Sequence, residues 1–179
     1  MSKSIIEEYE INPNTMLIRP IQYGSKTYSQ IFELDEELTS PFKPLDIIKE
    51  GCRFFGSSYE GRKEGTKQLT GITHKAPITI DSTNYIYFFP TASAHNIECA
   101  WISAEHIFSH KRIEGGETEI TFRNKLSLRL PVSYNTFTNQ LLRTALLKTT
   151  LMSRIEESER KTIYFVSENR PRMSAAKKG

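Results

Sequence analysis

Four side chains in the middle of the chain could hold a metal: His95, Cys99, His106 and His110. Zinc takes thiolate and imidazole ligands, and histidines at i and i+4 share a face only on a helix. The segment "HIFSHKRIE" has strand character, and four ligands within sixteen residues lack the spacing of a finger. They are read as a core cysteine and surface histidines, and no metal or cofactor is expected. A second candidate is "GSSYEGRK" (56–63), which nearly copies a phosphate-binding loop. It fails where chemistry needs it: Arg62 stands where a lysine must follow the second glycine, and no Ser or Thr follows for magnesium. Nor is it a nucleophile elbow, because the closing glycine comes one residue late. Ser57 and Ser58 are expected to bond the backbone of a local turn. Glu7, Glu8, Glu10, Glu36 and Glu37 cluster early without the spacing of an acid/base pair, so they are read as solvated. The chain is not expected to be an enzyme.

The stretch from Cys52 to Lys75, "CRFFGSSYEGRKEGTKQLTGITHK", offers a different chemistry. Arg53, Arg62, Lys63, Lys67 and Lys75 outnumber Glu60 and Glu64. Lys and Arg supply phosphate contacts whose affinity falls with salt. Glycines let a backbone approach another surface closely, and a loop arginine can enter a narrow A/T-rich minor groove. Phe54 and Phe55 are read as core. The competing reading is a single-strand nucleic-acid-binding module, stacking bases on Phe54, Phe55, Tyr59, Tyr85, Tyr87 and Phe88.

Charge distribution agrees. Of 24 basic and 21 acidic residues, positions 1–50 hold 5 and 9, leaving 19 and 12 for the remainder. That asymmetry points to a polyanion partner for the later part. The 179 residues suit one domain with a real core. No apolar run approaches the roughly 18 residues of a membrane span, and the Glu-rich start is unlike a signal peptide. Two cysteines outside any CxxC pair fit reduced thiols, so a cytoplasmic protein with no membrane partner is expected.

The elements that must position these residues read as α+β: short antiparallel strands forming a β-rich core, a helix near 44–55 and a long C-terminal helix. "MLIRPIQ" and "KTYSQIFEL" flank a hairpin turn at 23–25, and "DEELTSPFKP" reads as a loop. "LDIIKEGCRFF" has Leu45, Ile48, Cys52 and Phe55 at helical spacing. "QLTGITH", "ITID", "YIYFF" and "ECAWIS" read as short strands. "TEITFR" and "LSLRLP" form a second hairpin with period-2 alternation around Asn124-Lys125. Residues 135–158 form the strongest helix, with an apolar face so wide that it suggests burial on two sides. No internal repeat or low-complexity block occurs. Residues 161–179 are expected to be a flexible tail on a domain spanning 1–160, and "TIYFVSENR" (162–170) within it could also be a final strand.

"CRFFGSSYEGRKEGT", "HKAPITID", "YFFPT", "WIS" and "LPVSYNTFTNQ" together resemble the ComK family of competence transcription factors. The resemblance is dense over 43–103 and 131–145, looser before residue 40 and weak at the tail. It implies a transcription activator of DNA-uptake genes that acts with RNA polymerase and is nucleoid-associated when active. It implies binding to paired A-rich and T-rich boxes through the minor groove of duplex DNA. It further implies bending, self-assembly as dimer or tetramer on DNA, and delivery to a Clp-type protease by an adaptor protein. Minor-groove readout is degenerate, so specificity must come from groove shape and half-site spacing. Arg62, Lys63, Lys67, His74 and Lys75 are the expected DNA contacts, with Lys111, Arg112, Arg123 and Arg129 as the alternative surface. Arg53 is read as a partner within its helix. Leu147 and Leu151 are the expected protomer contacts. The family's aromatic adaptor segment near the C-terminus is replaced here by the different sequence at 162–170.

Overall fold

The computed structural model describes residues 4–169. Ten strands and three α-helices make the expected α+β fold. In chain order, β1 (Ser4–Ile5), β2 (Thr15–Tyr23), β3 (Lys26–Glu33) and β4 (Glu37–Ser40) precede α1 (Pro44–Phe54) and α2 (Tyr59–Thr70). Then come β5 (Ile78–Asp81), β6 (Ile86–Pro90), β7 (Trp101–Ser103), β8 (Ile107–Arg112), β9 (Thr118–Phe122) and β10 (Ser127–Leu130), followed by α3 (Tyr134–Glu168). β1 to β7 form one sheet in the order β1-β4-β3-β2-β7-β6-β5, antiparallel except where β1 joins β4. β8 to β10 form a second, antiparallel sheet.

The larger sheet is apolar on both faces. Ile18, Ile31, Ile78, Ile80, Phe88 and Trp101 pack with Ile47, Ile48 and Cys52 of α1 and Tyr59 of α2. Leu17, Phe32, Phe89 and Ile102 pack with Ile120, Phe122 and Leu130 of the small sheet and with Phe137 of α3. The molecule is therefore layered as helices, large sheet, and small sheet with the start of α3. Double burial explains why "IYFFP" is apolar without alternation. The small sheet has one wet face, so β9 alternates as its sequence predicts.

Three elements and one side chain differ from the sequence reading. "QLTGITH" is not a strand: its first three residues end α2, a helix that was missed. Ser58 caps its start by accepting from the Gly61 N–H, and Gly71, at φ +76°, closes it. β4 lies inside the predicted loop, pairing Ser29 to Phe32 of β3 with Ser40 to Glu37. α3 is longer than 135–158 and carries 162–168 as helix, not strand. Phe54 is exposed instead of core, while Phe55 packs on the α1 side.

Candidate nucleic-acid interface

The five expected contacts fall on α2 and the loop that follows it. The inner stripe of α2 is Tyr59, Arg62 and Thr66, spaced to face the sheet. Tyr59 meets Trp101 edge to face at 6.2 Å. Thr66 Oγ1 donates to the Pro77 carbonyl at 2.7 Å, tying the helix to the start of β5. Arg62 belongs to this stripe: it is half-buried, and its buried Nε has no hydrogen-bond partner among the described residues. Its charge acts inward. Burial pushes the Cys52 thiol up to about 11, and Arg62, then Arg53, pull against that rise.

Lys63 and Lys67 lie on the outer side. Lys63 sits 3.5 Å from Glu60 and 5.4 Å over the Tyr59 ring, and Lys67 sits 3.9 Å from Glu64. Such surface pairs are weak. His74 and Lys75 are exposed on the next loop, where Lys75 takes φ +48°. Two side chains of α3 hold that backbone. Gln140 Nε2 donates to the carbonyls of Lys75 at 2.9 Å and Pro90 at 2.8 Å, and Arg143 donates to the His74 carbonyl. Burial lowers the pKa of Arg143. The loop is thus clamped by its carbonyls while its two basic side chains face outward.

The alternative basic surface is differently engaged. Lys111 and Arg129 flank Glu119 at 2.9 and 3.7 Å, Arg112 lies over the Tyr134 ring at 5.4 Å, and Arg123 Nε donates to the Glu105 carbonyl at 2.7 Å. Both flanking cations hold the Glu119 carboxyl below its ordinary range. Arg53 pairs with Glu50 at 3.0 Å within α1.

The candidate metal quartet is dispersed. Cys99 is buried against the Ala92 carbonyl, His106 bonds the Pro13 carbonyl at 2.7 Å, and His110 bonds Thr138 at 2.9 Å and stacks on Tyr134. No group of three or more His, Cys, Asp or Glu able to hold a metal occurs among the described residues. Of the proposed stacking aromatics, Tyr59, Tyr87 and Phe88 are buried. Leu147 is 1% exposed, inside the protomer, and Leu151 is half-buried; the large apolar side chains that α3 turns to solvent in its first half are Leu142 and Leu146. Residues 170–179 of the expected tail lie outside the described residues. No described helix is long and apolar enough to cross a membrane.

One feature of α2 escaped the sequence reading. Gly61 and Gly65 are interior helical positions, and a Cβ at Gly65 would meet nothing within 4 Å. A mid-helix glycine costs roughly 1 kcal/mol against alanine, and packing within the chain does not require it. The signal for the helix itself was present, in Ser58 before it and Gly71 after it, but the glycines between them read as loop.

No solved structure matches the chain. A competence transcription factor of Bacillus subtilis (strain 168) is 45% identical over 151 residues, covering 84% of this chain and 79% of that protein. The model of the family described as ComK protein matches residues 6–156, which include the whole of α2, its following loop and the clamp from α3: the chain belongs to the ComK family.

Proposed function

We propose that this protein is a DNA-binding transcription activator of competence genes. It binds paired A/T-rich boxes through the minor groove, assembles on them, and engages RNA polymerase. The name of the Bacillus subtilis relative supports the transcriptional reading. The observation that supports the site is that Lys63 and Lys67 lie one turn apart on one face of α2, with His74 and Lys75 exposed on the loop that follows. Lys63, Lys67, His74 and Lys75 supply the contacts. Arg62 contributes field from the inner stripe rather than a first contact. Residues 1–160 act as the DNA-binding domain and 161–179 as the regulatory segment, with the protease adaptor docking on the exposed Ile163, Tyr164, Phe165 and Val166.

The test is binding of a labelled A/T-box duplex, a G/C-rich duplex and a single strand, each across a salt series. The A/T duplex should bind tightest and be displaced by a minor-groove drug. Lys67→Ala with Lys75→Ala should flatten the salt slope by about 2, near one per lost phosphate contact. Equal binding to all three nucleic acids, or an unchanged slope in the double variant, overturns the proposal.

A further inference from the structure

The strand register places a second feature beside the α2 loop. Ile78 of β5 pairs with Phe88, Pro90 of β6 pairs with Trp101, and Trp101 of β7 pairs with Ile18 of β2. The loop before β5, carrying His74 and Lys75, therefore opens at the same end of the sheet toward which β2 runs. β2 does not stop there. Its pairing with β7 ends at Ile18, and on the other side β4 pairs β3 only as far as Ser29. Beyond Pro20 and Ser29 the two strands pair only with each other, from Ile21 opposite Tyr28 to Tyr23 opposite Lys26.

This is a ribbon reaching about 17 Å past the last β2–β7 pair, and two-stranded for its outer three pairs, about 10 Å, at roughly 3.3 Å per residue. It is built to stand alone. Pro20, which cannot donate to a further strand, sits just where β7 drops away. Tyr23 and Tyr28 stack at 4.7 Å with planes 16° apart, and Gln22 donates to Thr27 at 3.3 Å. Gly24, at φ +62°, opens the two-residue turn. An isolated ribbon is marginal in water, so these devices hold an arm that buries little of its own surface.

Its chemistry is that of a polyanion contact. Residues 11–32 contain no Asp or Glu, although the chain has 21 acidic residues and Glu10 and Glu33 border the segment. Arg19 is fixed against Gln30 at 2.7 Å and over the Phe32 ring, leaving Lys26 as the cation at the exposed tip, beside the ring of Tyr23, 58% exposed. β2 and β5 are three strands apart, about 14 Å, which is less than half a turn of B-DNA, whose pitch is about 34 Å. Glu7, Glu8 and Glu10 line a groove against α1.

We propose that the ribbon 19–28 is a second DNA-contacting arm, its tip against the phosphates of the same duplex turn that receives the His74–Lys75 loop. The inference rests on the duplex-binding reading above and extends it to a segment of the acid-rich first third.

The test places charge at Ser25, an exposed turn position where neither sign disturbs the core. Ser25→Glu and Ser25→Lys are compared with the unaltered protein on the A/T-box duplex at about 150 mM salt, where screening confines a charge effect to about 8 Å. Ser25→Glu should weaken binding about tenfold. Ser25→Lys should tighten it severalfold and steepen the salt slope by about one. If the unaltered protein prefers the duplex and both variants match it within twofold, the arm is overturned and the α2 site stands. If the unaltered protein shows no duplex preference, the activator reading falls and the arm with it.

Discussion

Gln140 is nearly sealed from solvent, yet it spends both amide hydrogens on carbonyls from separate parts of the chain, Lys75 and Pro90. Its own carbonyl oxygen accepts from Arg143 at 2.6 Å, and Arg143 in turn reaches His74. Gln140→Leu keeps the volume and removes the clamp, leaving the buried Pro90 carbonyl unmet at about 1–3 kcal/mol and the part-buried Lys75 carbonyl unmet at less. A loss of roughly 2–3 kcal/mol in urea unfolding with an unchanged m-value is expected, and an unmoved midpoint would show the clamp to be idle. The same chemistry hid Gln140 from the sequence. An amphipathic projection places apolar residues inward, whereas the inner line of α3 is Phe137, Gln140, Thr144 and Leu147. Leu142 and Leu146, apolar as they are, lie on the surface.

At the scale of elements, strands were legible wherever one face is wet, as in β9, and the β2–β3 hairpin was legible from its turn. α2 was not, because Gly61 and Gly65 argue for loop while the stabilising contacts, Thr66 to Pro77 and Tyr59 against Trp101, are tertiary. Propensity is a weak prior against such contacts. The site was half legible: the basic run 62–75 could be read as a patch, but not which cations point inward. Gly65→Ala separates the two demands on the helix. Methyl addition should raise stability by about 1 kcal/mol and weaken A/T-duplex binding severalfold. Tighter or equal binding in the stabilised variant would mean that nothing approaches that surface.

Across the whole molecule, the acids of the first fifty residues fall in two places: Glu7, Glu8, Glu10, Asp46 and Glu50 line the α1 groove together with Lys49 and Arg53, and Glu33, Asp35, Glu36 and Glu37 lie in or beside the β3–β4 turn. α3, about 52 Å long at 1.5 Å per residue, leaves the body near Ile155 and is exposed from Glu156 onward. Its two exposed apolar patches call for different partners. Leu142→Glu with Leu146→Glu should lower the mass of the DNA-bound assembly in light scattering without altering protomer folding. Tyr164→Ala with Phe165→Ala should spare that mass and slow adaptor-dependent proteolysis. The reverse pattern would exchange the two roles, and no change in either would remove both. One further property follows from the packing of Tyr59 on Trp101. The chain has a single tryptophan, wholly buried beneath the first turn of α2. Its indole emission therefore speaks for one place only, and the protein carries a native optical gauge of whether α2 stays seated on the sheet when a ligand presses on it.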